Sequence, residues 1–178
     1  MQMIKETTRS NQVEYLLADL SSQKDIRSLA QQFLAKYERL DVLINNAGAF
    51  CRRREETEDG FEKTMGTNHL GPFLLTHSLL PRLAETVGAR VVNVSSNAAF
   101  YAKLDLDDLQ MTYKYRSFKA YAASKLASRI RAERDEARVV PVLLHPCNWQ
   151  RTPFASLQVV PRGNQPISTH RSEERRVG

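Results

Sequence analysis

The sequence predicts an α/β fold built on a parallel sheet, and three observations carry that prediction. Short apolar, β-branched runs recur at residues 13–17, 41–45, 90–96 and 139–144. Segments with apolar residues at helical spacing separate them. The runs lack clean polar alternation, as expected of strands whose two faces are both covered by crossover helices. Strand and helix in alternation imply right-handed crossovers, which bring the carboxyl ends of the strands to one crevice.

Residues 13–17 (Val-Glu-Tyr-Leu-Leu) read as the first strand, ending at Ala18-Asp19-Leu20. Ser21 or Ser22 then caps a helix in which Ile26, Leu29, Ala30, Phe33, Leu34 and Tyr37 share a face. The second strand, 41–45, closes on Asn45-Asn46-Ala47-Gly48. Two amides followed by small residues suit a ligand lying close to the backbone at the sheet's upper edge. An Asn-Gly-type turn would explain the glycine but not the doubled asparagine.

A helical segment is expected over 57–85, interrupted at Pro72. Proline has no N–H, so the carbonyl of Asn68 four residues earlier loses its helical partner, and a kink with a free carbonyl able to hold a water should follow. The third strand, 90–96, delivers Ser95 and Ser96 to the same edge. The loop 97–116 carries Leu104-Asp105-Leu106-Asp107-Asp108-Leu109, read as a short helical turn, and a helix capped by Ser117 follows. The fourth strand, 139–144, ends at His145-Pro146.

The chain has 178 residues, enough for one domain with a real core. Hydrophobic content of 42% and charged content of 26% are ordinary for a globular protein. Two cysteines, Cys51 and Cys147, build no disulfide framework or metal site. No apolar run is long enough to span a membrane, so no anchor is present in this chain. The net charge of +6 is scattered and often answered by acids, as in Arg52-Arg53-Arg54-Glu55-Glu56, which reads as solvated surface and not as a nucleic-acid patch.

Chemistry concentrates in Tyr121-Ala122-Ala123-Ser124-Lys125. Four residues apart on a helix, Tyr121 and Lys125 share one face. A free tyrosine titrates at about 10, and a nearby cation stabilises a phenolate, so such a pair is suited to proton transfer at working pH. The same spacing on its own more often marks a solvated helix face.

Asn45-Asn46-Ala47-Gly48, Asn93-Val94-Ser95-Ser96 and Tyr121-x-x-x-Lys125, in this order, resemble the short-chain dehydrogenases/reductases, over roughly residues 13–146. The stretches Leu104-Asp-Leu-Asp-Asp-Leu-Gln110 and Ser124-Lys125-Leu126-Ala127 look like the retinol-dehydrogenase-like branch. The resemblance implies hydride transfer between NADP or NAD, NADP slightly favoured, and a small-molecule alcohol or carbonyl, retinol/retinal-like or otherwise lipophilic. It implies Tyr121 as acid/base, Lys125 as the residue that tunes it and holds the nicotinamide ribose, and Ser96 as the hydroxyl that orients the substrate. Asn68 matches the asparagine whose backbone carbonyl holds a relay water. Asp19 matches the acid near the adenine, Asn46, Ala47 and Gly48 line the cofactor, and Thr152 stands near the nicotinamide amide. A cytoplasmic or endoplasmic-reticulum-associated location is implied in the same way.

The departures matter equally. The family's opening Thr-Gly-x-x-x-Gly-x-Gly turn holds the pyrophosphate, and no such cluster precedes Asp19. The expectation is therefore a partial Rossmann-like, doubly wound parallel sheet over 1–154 that lacks the family's first strand, Gly-rich turn, first helix and second strand. Cys147 replaces a family glycine, and Thr152 falls one residue late. The Tyr121 helix is shorter and more polar than the family helix that often builds a homodimer, which leaves dimerisation open. Residues 155–178 read as an irregular or non-native tail, and 171–178 look like a translated sequencing adapter. A non-catalytic fragment or isoform unable to bind the dinucleotide is the alternative reading.

Overall fold

The computed structural model describes residues 13–134, 139–144 and 156–159. Strand β1 (Glu14–Leu17) leads into helix α1 (Gln23–Lys36). Of the two candidate caps, Ser22 is the one used: its backbone is extended and its hydroxyl accepts the Asp25 amide at 3.3 Å. One of the orphan N–H groups of the first turn is thereby satisfied. Ile26, Leu29, Ala30 and Phe33 form the buried stripe that the spacing predicts.

Strand β2 (Val42–Asn45) departs from expectation. Leu43 is fully buried, but Val42 and Ile44 are 41% and 55% exposed. The apolar run is thus covered on one face only, because successive side chains point to opposite sides of a strand.

The single helix expected over 57–85 is broken into α2 (Lys63–Met65), a wide π-helical turn (Gly66–Leu70), α3 (Gly71–Ser78) and α4 (Leu80–Glu85). It starts late because the Glu62 carboxylate caps it, accepting the amides of Thr64 at 2.9 Å and Met65 at 2.7 Å. Residues 57–61 are consumed by a turn through Gly60, and Glu56 bridges Glu62 antiparallel. The distortion expected at Pro72 is taken up just before it, where the Gly71 amide reaches back five residues to the Gly66 carbonyl. Gly71 is required there, since any Cβ would collide with the Leu20 carbonyl. A second break, at Leu79, precedes Pro81, which sits in the first turn of α4, where a missing N–H costs nothing.

Strand β3 (Arg90–Ser96) runs into a 3₁₀ turn (Asn97–Tyr101), and not into the helical turn expected over 104–109. Helix α5 (Ser117–Arg134) begins one residue earlier than a Ser117 cap would allow, the Arg116 carbonyl accepting the Ala120 amide. Strand β4 (Val139–Leu144) follows, and β5 (Ser156–Val159) falls in the stretch read as irregular. Its Ser-Leu-Gln-Val sequence alternates polar and apolar, the period of a strand.

Strands β2, β3 and β4 form a parallel sheet in that order, with Asn45 opposite Asn93 and Ser96 opposite Leu144. Four parallel strands were expected; three are present, and β1 pairs with β5 in a separate two-stranded sheet. No residue of β1 is buried, whereas a strand inside a covered parallel sheet has both faces hidden. Contacts divide the chain into two compact units, Met1–Tyr15 with Gln158–Gly178, and Leu16–Leu157. Within the second, α1 packs on α3, and α5 packs on β3, β4 and the 3₁₀ turn.

The opposite faces of β2 give a direct comparison. Leu43→Ala should destabilise the domain by about 2–5 kcal/mol, and Ile44→Ala by less than about 1 kcal/mol. Urea denaturation of the two variants measures both, and equal losses would mean that both faces of β2 are covered.

Candidate functional site

Helix α5 lies against β3, and that contact places Lys125. Its side chain is 3% exposed, and its ammonium donates to the Val94 carbonyl at 3.0 Å. The backbone carbonyl of Lys125 accepts the Ser95 hydroxyl at 3.1 Å, so the residue is tied to β3 at both ends. Among the described residues no carboxylate forms an ion pair with it. Burial pushes the Lys125 ammonium down from 10.5 to about 8.

The Lys125 ammonium stands 5.8 Å from the centroid of the Tyr121 ring. Tyr121 is half-buried, and the exposed ring of Phe50 leans on it with centroids 5.6 Å apart and planes tilted by 56°. The expected shared face of Tyr121 and Lys125 is thus present, with the ammonium over the ring, and the lysine is buried where a solvated helix face would expose it.

Gly48 closes the opposite side. A Cβ on it would lie 3.3 Å from Asn68 Oδ1 and 3.5 Å from Lys125 Nζ, tighter than or at the edge of ordinary contact. Asn68, 4% exposed, holds the same loop by both ends of its amide: Oδ1 accepts the Ala49 amide at 2.6 Å, and Nδ2 donates to the Ala49 carbonyl at 3.0 Å. Nδ2 also donates to Ser124 Oγ at 3.0 Å. One side chain joins the π-helical turn, the 46–50 loop and α5.

The free Asn68 carbonyl expected from Pro72 is corrected by the structure. The Ser128 hydroxyl lies 3.2 Å from that carbonyl and 3.0 Å from the Ser124 carbonyl, so its one proton is shared between them and only partly replaces the lost amide. Carbonyl oxygen has two lone pairs, so one remains for a further donor.

Ser96 is 1% exposed, and its Oγ accepts the Ala98 amide at 3.3 Å, capping the 3₁₀ turn. Ser95 turns instead into α5. The doubled asparagine also divides its labour. Asn45 donates to Asn93 Oδ1 at 2.7 Å and Thr76 Oγ1 at 3.1 Å, fastening β2 to β3 and α3, while Asn46 is exposed at the strand's end. Ala47 and Gly48 are half-buried beside it.

Asp19 shares no hydrogen bond with these groups. One of its carboxylate oxygens accepts the Ser21 amide and hydroxyl, each at 2.8 Å, and shapes the turn into α1. Thr152 lies outside the described residues. Among the described residues no group of three acid, histidine or cysteine side chains could hold a metal, and no helix is long and apolar enough to cross a membrane.

Sequence reasoning missed Ser124 and Ser128. Their signal was present: two hydroxyls spaced by four on the helix that carries Tyr121, among Ala120, Ala122 and Ala123, all buried. Small residues at that spacing let a helix approach its neighbours closely.

The sequence model of the family described as short chain dehydrogenase matches residues 1–133. Mouse retinol dehydrogenase 12 is 48% identical over 125 residues, 70% of this chain and 40% of that protein. Human polyprenol dehydrogenase is 48% identical over 128 residues, 70% of this chain and 39% of that protein. The chain thus spans well under half the length of these curated relatives. Among solved structures, a metagenomic short-chain oxidoreductase in complex with NADP is 25% identical with a TM-score of 0.51, over 74% of this chain and 57% of that one.

Lys125 should leave a mark on stability against pH. In the unfolded chain it keeps its proton to about 10.5, whereas in the folded chain it releases it near 8. Between those values unfolding takes up a proton, so Lys125 makes the folded state gain stability as pH rises through this window and adds no slope below it. Chemical denaturation of the chain and of Lys125→Met at pH 7 to 10.5 isolates the term. Parallel curves would mean that the ammonium is solvated.

Proposed function

The chain belongs to the short-chain dehydrogenase family, and from that premise we propose that it carries the reacting half of a nicotinamide-dependent oxidoreductase acting on an alcohol or carbonyl. The observation that carries this reading is the buried Lys125 ammonium, set beside the Tyr121 ring and facing Gly48, with no acid among the described residues to neutralise it. A buried, unneutralised cation is costly to maintain and is rarely retained for packing alone.

The residues present fit a dinucleotide at its nicotinamide end. Gly48 leaves open, beside Lys125 and Asn68, the space that a Cβ would fill. Lys125 would hold the ribose hydroxyls, with Asn46, Ala47 and Gly48 forming the backbone wall, Asp19 near the adenine and Thr152 near the nicotinamide amide. When bound, the nicotinamide supplies or accepts the hydride. Tyr121 gives its proton to the substrate oxygen in reduction and takes it back in oxidation, and Ser96 donates a second hydrogen bond to that oxygen, a stabilisation that grows with its negative charge. The Asn68 carbonyl, already holding Ser128, keeps a lone pair for a relay water. NADP is favoured over NAD by the family resemblance and by the NADP complex of a similar structure.

A lipophilic alcohol is the substrate class this reading favours. Retinol and polyprenol, named in two relatives, are both alcohols on long apolar skeletons. Phe50, 47% exposed against Tyr121, provides an apolar wall beside the reacting oxygen. The second reading is a chain that keeps these residues without holding a dinucleotide.

Two experiments separate them. With the family's Gly-rich strand-turn-helix-strand segment supplied in frame, Tyr121→Phe should lower kcat by about 10²–10⁴-fold, the usual span for a general acid, with cofactor Kd nearly unchanged. Turnover at the parent rate would remove Tyr121 from the chemistry. Residues 1–178 alone should show no saturable NADPH binding by calorimetry, because the phosphates find no row of N–H donors; micromolar binding would show that another part of the chain meets them.

A further inference from the structure

The loop between β3 and α5 starts at Ser96 and ends at the helix that carries Tyr121, so its anchoring sets how the two hydroxyls stand to each other. Two of its residues, Gln110 and Tyr115, anchor it. Gln110 Oε1 accepts the Glu62 amide at 2.7 Å, and the Gln110 carbonyl accepts Arg54 Nε at 3.2 Å. The Tyr115 hydroxyl lies 2.8 Å from the Cys51 carbonyl and donates to it, with Glu62 Oε1 and Thr64 Oγ1 each 3.4 Å away. Glu62, 1% exposed, is the cap that starts the helical stretch carrying Asn68 six residues on.

Two further facts show that this arrangement is held and not incidental. Met111, next to Gln110, has φ 47°, a left-handed conformation unfavourable for any residue with a Cβ. Such backbone persists only where its surroundings over-determine it, and it concentrates at functional sites. Burial first, opposed by the Thr64 hydrogen bond and reinforced by Glu62, pushes the Tyr115 phenol above an ordinary value at which it is already a donor at neutral pH.

We propose that Glu62, Gln110 and Tyr115 form a clamp that positions Ser96 and Tyr121, fixing the loop between them to the segment that opens the Asn68 helix. The proposal rests on the assignment of Ser96 and Tyr121 as reacting hydroxyls. The three are positioning residues: they act through the loop and through α5, and through Glu62 on the Asn68 turn as well. Glu62 thereby couples the cofactor-side loop, held by Asn68, to the substrate-side loop, its backbone amide bonding Gln110 and its carboxylate capping the helical stretch.

The test uses the 178-residue chain and needs neither cofactor nor substrate. Tyr115→Phe removes one hydroxyl and leaves the ring. It should speed amide exchange across residues 97–121 about tenfold, the population change expected from one hydrogen bond of ordinary net strength. It should also move the Lys125 titration, followed by NMR of labelled lysine, upward from about 8 as α5 loosens and water reaches the ammonium. Leu83→Val, a loss of one core methylene far along the chain from the clamp, serves as the comparison and should move neither. An unchanged loop and an unchanged Lys125 in Tyr115→Phe, or the same shifts in Leu83→Val, would overturn the proposal. Lack of dehydrogenase activity in an extended chain would instead count against the proposed reaction, and these two readouts would stand apart from it.

Discussion

The structure depends on keeping one ammonium out of water. Lys125 is buried to 3% exposure, and the Val94 carbonyl of β3 takes the place of water as a partner for its ammonium, with Gly48 packed alongside. That requirement fixes α5 onto β3, since the helix cannot slide without stranding a charge. Ser95 adds the second tie, from strand hydroxyl to helix carbonyl. Tyr121, one turn earlier, takes part of its position from the same contact.

Asn68 extends the same constraint to the rest of the site. A planar amide that both donates to and accepts from the Ala49 backbone mimics a strand partner, and it holds the 46–50 loop at a defined height above β2. It reaches that position from a π-helical turn, whose extra residue per turn rotates the side chain away from where an α-helix would aim it. The backbone hydrogen bond sacrificed there is only partly recovered from Ser128, on the same helix as Lys125, because that hydroxyl shares its one proton with the Ser124 carbonyl. The distortion and the site thus stabilise each other.

Most of this was legible in the sequence, unevenly and for physical reasons. Strand runs and the apolar face of α1 were clear because burial imposes a period that the residues must obey. Asn45-Asn46-Ala47-Gly48, Ser95-Ser96 and Tyr121 with Lys125 were clear because close approach and proton chemistry admit few residue types. The late start of the helical stretch at Lys63 was not, since Glu62 caps through a side chain that also suits a helix interior. Pro72 announced a distortion but not its location or its remedy, because Ser128 lies far away in sequence. The clamp around Glu62, Gln110 and Tyr115 was silent for the same reason: its hydrogen bonds join residues about fifty apart, and no local period records them.

The charge balance explains why the chemistry and the cofactor's phosphates are separate problems for this chain. Its net charge of +6 is a diffuse field, and beyond a screening length of about 8 Å at physiological ionic strength such a field is largely lost to a bound anion. A pyrophosphate is held by N–H groups aimed at its oxygens at hydrogen-bond distance, and a scattered surface of lysines and arginines cannot substitute for that geometry. Lys125 is no exception, because its ammonium is directed inward at the Val94 carbonyl and lies beside the Tyr121 ring. Proton transfer needs a few groups fixed by burial; phosphate recognition needs a row of backbone donors on an open turn. In the proposed reading the described residues serve the first by packing one helix against one strand, and that packing adds nothing to the second.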